Sequence, residues 1–425
     1  MRPLILSAND KGGGAGIAAT RLHNGLRELN VDSQMLVQRK MSGSPLIQST
    51  ESKVGRVFGL IQPHLDRAPV NLLGGVSELF HPQWVPAFWQ KRPSSLTPDL
   101  INLHWVCDGF ISVEAIGQLP YPIVWTLHDM WPLTGGCHYS DQCKRYTTHC
   151  GNCPTLKSSK NFDLSRLVWK RKQLAWRDQP IVVVSPSRWL AKCAGESSLF
   201  MSRRIEVIPN GIDLHRFKPI DKQLARQILN LPSEKLIVLF GAMSGSKRKG
   251  AHHLKAALSI LAARGLNVEL AVFGNQQQYQ ELASFRTNYL GHLADEATLC
   301  LSYAAADVFV APSEQDNLPN TMTEAMASGT PCVAFNIGGM ADIIDNGING
   351  YLAQPFDVAD LANGIASIIA SDWHRIFFSM EARKKAELRF DIKHMSENYA
   401  KLFEEILEAS RNSDLAPFKG GVAES

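Results

Sequence analysis

Leu4-Ile5-Leu6-Ser7-Ala8-Asn9-Asp10-Lys11-Gly12-Gly13-Gly14-Ala15-Gly16-Ile17-Ala18-Ala19 decides the fold: an apolar run, a glycine-rich bend and the start of a helical pattern over residues 17–29. A strand that ends in glycines and continues as a helix offers backbone amides and a helix N-terminus to an anion such as a phosphate. Similar apolar runs recur at 33–37, 101–104, 123–127 and 181–184, with helical patterns between them. This alternation is that of a parallel sheet covered by helices. A second series restarts it at 236–240, 268–273, 308–311 and 332–335.

With 425 residues, 45% of them hydrophobic, the chain has material for two cores. The expected architecture is α/β, with two doubly wound, Rossmann-like domains. Pro209-Asn210-Gly211-Ile212-Asp213 follows an apolar strand at 205–208 and breaks regular structure. It sets the expected domains at 1–208 and 209–391, followed by a closing helix at 392–411 and a disordered tail at 412–425. Residues 41–98 have weak periodicity and read as a partly helical insertion.

The net charge of +4 conceals an asymmetry: residues 1–210 carry 24 Lys and Arg against 15 Asp and Glu, and the remainder carries 20 against 25. A basic first half suits an anionic partner, either a membrane surface or a phosphorylated acceptor, although scattered solvated charges give the same totals. No apolar run approaches the ~20 residues of a membrane helix, and the N-terminus lacks a secretory core. The expectation is a soluble, cytoplasmic protein.

Several constellations carry chemistry. Gly14-x-Gly16-x-x-Ala19 fits a dinucleotide fingerprint, but the acidic residue that such a site wants after its second strand is replaced by Gln38-Arg39-Lys40. His104 and His128 each close an apolar strand, at the edge where open α/β sheets bind ligands, and Asp129 adjoins the second. They are the candidate catalytic residues, suited to bonding sugar hydroxyls or polarising a transferred group. Cys137, Cys143, Cys150 and Cys153 crowd into 17 residues, a density that suits a structural zinc site, with free thiols or a redox pair as the alternatives. Residues 162–177 mix Lys170, Arg171, Lys172 and Arg177 with Trp169 and Trp176, which suits either a membrane interface or an ordinary packed helix. Ser246-Lys247-Arg248-Lys249-Gly250 is a cationic loop able to neutralise a diphosphate leaving group. Asp316-Asn317-Leu318-Pro319-Asn320-Thr321-Met322-Thr323-Glu324 places two carboxylates at a helix entrance, where amides take phosphate and acids take hydroxyls.

Taken together, the segments Thr126–Pro132, Thr134–Tyr139, Pro209–Asp213 and Asp316–Glu324 with Gly329-Thr330-Pro331 resemble glycosyltransferase family four, the retaining GT-B enzymes, and among them the bacterial exopolysaccharide and O-antigen branch. The resemblance implies two domains facing across a cleft, with Glu324 on the donor ribose, Asp316 near the donor sugar and Lys249 on the diphosphate. Asn317, Leu318, Asn320 and Arg248 would line the same donor site, with Gly13, Gly14 and Gly16 facing it from the first domain. The expected acceptor is a carbohydrate, in this branch a lipid-linked saccharide. Two positions depart from the family pattern: Asp316 stands for a glutamate, and Ala242 for an arginine that Arg248 would replace. No Asp-x-Asp motif occurs, so catalysis is expected to need no metal or other cofactor. Nucleic acid is not an expected partner, and membrane contact would be peripheral, at the inner face. The competing readings are an NAD(P)-dependent oxidoreductase built on the glycine loop, and a non-catalytic protein of the same fold.

Overall fold

The computed structural model describes residues 1–49, 53–72, 80–86, 96–242, 246–274, 282, 285–293 and 295–412. The expected tail falls, from residue 413 on, outside the described residues, as do parts of the 41–98 segment.

The chain divides into two units, Met1–Pro209 with Met395–Ser425, and Asn210–His394. The C-terminal helix Ile392–Asn412 is thus not a separate element, because from Met395 on it belongs to the first unit.

The first unit holds seven parallel strands: β1 (Pro3–Asn9), β2 (Gln34–Arg39), β3 (Ile47–Ser49), β4 (Leu100–Leu103), β5 (Ile123–Thr126), β6 (Ile181–Ser185) and β7 (Ile205–Val207). Their order is β3-β2-β1-β4-β5-β6-β7, so the winding reverses between β1 and β4. Leu4, Leu6, Ile101, Leu103, Ile123, Trp125, Ile181 and Val183 point to one packed face. Edge-on rings of Trp125, Trp176 and Phe200 thicken it. The helix Gly13–Glu28 starts four residues earlier than its apolar pattern, so the glycines form its first turn. Within the 41–98 segment the structure shows β3 and a helix, Lys53–Leu72, that contains Pro63 and Pro69.

The second unit holds β8 (Leu236–Ala242), β9 (Val268–Gly274), β10 (Thr287–Gly291), β11 (Val308–Ala311), β12 (Cys332–Phe335) and β13 (Gly350–Ala353), all parallel, in the order β10-β9-β8-β11-β12-β13. Side chains alternate between two apolar layers: Val308 and Val310 enter one, Phe309 and Ala311 the other. Burial on both faces is why these strands read as unbroken apolar runs. Here the winding reverses between β8 and β11. Reversal points open a crevice at the carboxyl ends of the strands, which positions ligand sites there.

Candidate active site

In the second unit, the loops leaving β8 and β11 meet at that reversal point. The first carries the short turn Lys247–Lys249 and the second carries Asp316. Asp316 Oδ2 accepts from Lys249 Nζ at 2.6 Å and lies 3.4 Å from an Arg248 guanidinium nitrogen; Asp316 Oδ1 accepts from the Asn317 amide at 3.1 Å. Burial by itself would raise this carboxyl, but Lys249 and then Arg248 hold it down to about 2. Arg248 also donates to the Gln315 carbonyl, and its own carbonyl accepts from the Glu314 amide.

Two glycines fix the geometry. Gly250 (φ +74°) and Gly338 (φ +61°) occupy the left-handed region, and an added Cβ would stand 1.9 Å from the Pro312 carbonyl oxygen and 2.1 Å from that of Asp316. Only glycine lets these backbones approach so closely. Beyond Asp316, Asn317 is buried, and the Leu318 side chain belongs to the apolar core, so as a donor candidate Leu318 contributes only its backbone. The helix Asn320–Ala327 follows without a side-chain cap at its N-terminus. Asn320 Oδ1 accepts from Asn210 Nδ2 at 3.3 Å, and Glu324 Oε2 accepts from the buried Tyr303 hydroxyl at 2.9 Å. The arrangement can hold an anion on Lys249 and Arg248 while Glu324 is steadied for a hydroxyl ligand.

In the first unit, β4 and β5 are neighbours, and the residues just past them bring His104 Nδ1 and His128 Nε2 to 2.8 Å. Asn102 settles the tautomers. Its Nδ2 donates to the Val124 carbonyl at 3.1 Å and to Thr126 Oγ1 at 3.0 Å, so its Oδ1 must accept from His104 Nε2, 2.9 Å away. His104 Nδ1 is then an acceptor and His128 Nε2 a donor, which leaves Nδ1 of His128 as its acceptor side. Burial, and then the neighbouring His128, pushes the pKa of His104 well below the usual value; burial lowers that of His128 to about 4 although Asp129 pulls upward. Both rings are neutral at pH 7. His104 is a buried support for His128 rather than a second ligand contact.

Asp129 corrects its expected role. It lies next to His128 in sequence, but its oxygens accept from His138 Nδ1 at 2.7 Å, Trp105 Nε1 at 3.0 Å and the Trp131 amide at 2.8 Å. Burial alone would raise Asp129, and His138 more than offsets this, so it is ionised and fully engaged in holding the loop. From His138 the chain of hydrogen bonds continues: His138 Nε2 to His81 Nδ1 at 2.6 Å, and His81 Nε2 to Asp108 at 3.1 Å. Arg67, which can only donate, also lies 3.4 Å from His81 Nε2. Burial pushes the pKa of His81 down to about 4, although the hydrogen bond to Asp108 pulls upward. Sequence reasoning missed His81 and Asp108, because 57 and 21 residues separate them from His138 and Asp129.

Gly13, Gly14 and Gly16 stand on this unit, whereas the other donor candidates stand on the second. At Gly16 an added Cβ would lie 2.3 Å from Asn9 Oδ1, so the helix packs directly on the end of β1. The residue ending β2, Arg39, is bound to Asp108 at 2.8 Å, and no acid stands there for a dinucleotide ribose.

Of the two readings of the helix Leu164–Trp176, Lys172, Trp169 and Trp176 follow that of a packed helix. Lys172 is fully buried: it donates to the Trp131 carbonyl and, at 3.0 Å, to that of Thr134, with its amine 3.6 Å from the centroid of the Trp131 ring. Trp169 and Trp176 are buried as well, and Arg171 is bound to Glu114 at 2.7 Å. Among the described residues no helix is long and apolar enough to cross a membrane.

The four clustered cysteines line one small cavity together with Gly135 and Ser165. Burial raises the thiols of Cys150, to about 11, and Cys153, which disfavours thiolate redox chemistry.

Residues 12–216 match the family model described as Glycosyltransferase Family 4, and residues 234–371 that described as Glycosyl transferases group 1. D-inositol 3-phosphate glycosyltransferase 2 of Catenulispora acidiphila is 30% identical over 406 residues, 88% of this chain and 86% of its own. A protein of Escherichia coli K12 named for colanic acid biosynthesis, the glycosyl transferase WcaC, is 27% identical over 229 residues, 52% of this chain and 54% of its own. Among solved structures, Anabaena HepE in complex with UDP-glucose aligns with a TM-score of 0.64 at 18% identity, over 95% of this chain and all of HepE.

Proposed function

The chain belongs to glycosyltransferase family 4, and on that premise we propose that it moves a sugar, with retention of configuration, from a nucleoside diphosphate held on the second unit to a carbohydrate acceptor in bacterial surface polysaccharide synthesis. The observation that carries the donor half is the Lys249, Arg248 and Asp316 cluster at the β8/β11 reversal point. Without donor, one carboxylate sits against the two cations and leaves the cluster with a net charge of +1. A bound diphosphate takes over those charges, and as the bond to the sugar breaks the cations stabilise the growing negative charge on the leaving group. Two side-chain cations supply what a bridging metal would otherwise supply, so the reaction needs no divalent ion. Glu324 takes a ribose hydroxyl, and the first-turn amides of the helix Asn320–Ala327 take a phosphate oxygen.

On the first unit, neutral His128 accepts from a sugar hydroxyl, oriented by His104 and Asn102. Its role is positioning, since retention requires the acceptor to attack from the face that the nucleotide leaves. The acceptor is a lipid-linked saccharide. This rests on the excess of positive charge over residues 1–210 and on the likeness to WcaC. Any peripheral membrane contact uses exposed cations other than Lys172 and weakens with salt.

A thermal-shift screen against UDP, GDP, ADP, CMP, NAD and NADP tests the donor site, with Glu324→Ala and Lys249→Ala beside the wild type. One nucleoside diphosphate should stabilise the protein and lose at least ~10-fold in affinity in each variant, about 1.4 kcal/mol. Stabilisation by NAD or NADP alone overturns the proposal. Transfer to lipid-diphosphate saccharides with and without added magnesium or manganese tests the acceptor and the metal-free reaction.

A further inference from the structure

Cys137, Cys143, Cys150 and Cys153 lie on the excursion between β5 and the helix Leu164–Trp176, and all four line a single cavity. Two of them, Cys150 and Cys153, are buried. Their sulfurs meet backbone amides within otherwise apolar surroundings: the Gly135 amide donates to Cys150 Sγ at 3.1 Å, and the amides of Thr155 and Leu156 face Cys153. Amides aimed at sulfur favour a thiolate. Between the two cysteines, Gly151 (φ +136°) and Asn152 (φ 46°) make a tight knuckle, and an added Cβ at Gly151 would stand 2.3 Å from the Asn161 carbonyl oxygen.

A second observation concerns charge. Lys172 is entirely buried and bonded to two carbonyls against an indole face, and the groups that favour its charge electrostatically include Cys150 and Cys137 as well as the carboxylate of Asp129. One of those carbonyls is that of Thr134, adjacent to the Gly135 amide that meets Cys150. A buried cation calls for a nearby negative charge.

We propose that these four cysteines bind one zinc ion as a tetrathiolate, which braces the Trp131–Ser165 segment and adds to the negative charge that Asp129 sets against Lys172. Binding releases four protons to solvent and leaves a site of net charge −2. The sulfurs surround the cavity without converging, since the described groups of three or more ligand atoms within 4.8 Å of one another include no three of these cysteines. Side-chain rotation must therefore bring each to the ~2.3 Å of a zinc–sulfur bond. The braced segment carries Trp131, Thr134 and His138, and so reaches the Asp129 contacts behind His128.

The site is independent of the donor reading, and its test uses no nucleotide. Full-length protein purified from zinc-replete cells under reductant, without chelator, is assayed by elemental analysis and by thiol titration after denaturation. The expected result is one zinc per chain and eight titratable thiols, with zinc falling at least ~10-fold in the Cys150→Ser/Cys153→Ser and Cys137→Ser/Cys143→Ser variants. If those variants fail to fold, cobalt added to stripped wild-type protein keeps the question open to test: sulfur-to-cobalt charge-transfer absorption at one equivalent supports the site, and its absence refutes it. Less than a tenth of an equivalent of zinc in the wild type overturns the proposal. So does a deficit of thiols that reveals disulfides, and so does zinc that survives both double substitutions and therefore sits elsewhere, for example on the His252, His253 and Glu314 group.

Discussion

Asp66, on the helix Lys53–Leu72, is 0% exposed, and one of its oxygens accepts from the Trp84 amide at 3.1 Å while the other has no hydrogen-bond partner among the described residues. Burial raises this carboxyl to about 7 from an ordinary 3.8, the Trp84 amide pulling downward and Asp108 pushing upward. The folded protein thus prefers the protonated acid, while the unfolded chain ionises near 3.8. Stability is undiminished below that value and falls as pH rises toward 7, where the unfolded state holds fewer protons than the folded one. Three pKa units correspond to ~4 kcal/mol in total, of which about 2.5 kcal/mol accrues between pH 5 and pH 8. Asp66→Asn removes the charge and keeps the acceptor for Trp84. Its stability relative to wild type, from urea unfolding of the first unit, should therefore rise by about 2.5 kcal/mol from pH 5 to pH 8, or ~5–10 °C in Tm. A difference that stays constant across that range would show that Asp66 does not titrate there and would refute the reasoning.

The neutral His104 and His128 pair predicts a kcat/KM profile without an inflection near 6.5 from these rings, the acid limb falling below pH 5; an inflection at 6–7 that vanishes in His128→Gln would contradict the assigned tautomers. Because the folded pKa of His128 is depressed to about 4, it costs stability as pH falls from 6.5 to 4, and His128→Gln should flatten the wild-type loss of Tm in that window. Gly338→Ala should destabilise the second unit by at least ~2 kcal/mol and weaken nucleotide binding several-fold by displacing Asp316, whereas Gly347→Ala, at φ +76° with open space around the new Cβ, should cost only the ~1 kcal/mol of left-handed strain and leave binding unchanged. Tyr399→Phe removes the 2.9 Å contact with Thr126 and should cost about 1 kcal/mol in unfolding, against ~3–5 kcal/mol for Phe403→Ala in the same helix.

The strands buried on both faces were legible because nothing polar interrupts them. Those missed, β3, β10 and β13, lie at sheet edges, and β10 is nowhere fully buried, so no apolar run marks it. The helix Lys53–Leu72 was obscured by its two prolines, and the first turn of Gly13–Glu28 by glycines of poor helix propensity. Strand-end geometry was enough to place His104, His128 and the Asp316 loop just past the carboxyl ends of their strands. It could not assign Asp129, whose partners are Trp105 on the neighbouring strand end and His138 in a loop. Lys172 misled for a related reason. Basic beside aromatic residues reads as an interface until the carbonyls of Trp131 and Thr134 are seen to receive the amine inside.

The first unit is discontinuous in sequence: it lacks Met395–Ser425 until the whole of Asn210–His394 has been made. The missing helix supplies the Tyr399 hydroxyl to Thr126 and buries Leu402, Phe403 and Ile406. On a ribosome moving at ~5–20 residues per second, the first half waits roughly 10–40 s for this last piece. The second half, contiguous, can close while it emerges. Order of synthesis and order of completion are therefore reversed, and nascent chains should expose the seven-stranded half to chaperones and proteases for as long as the six-stranded half is being made.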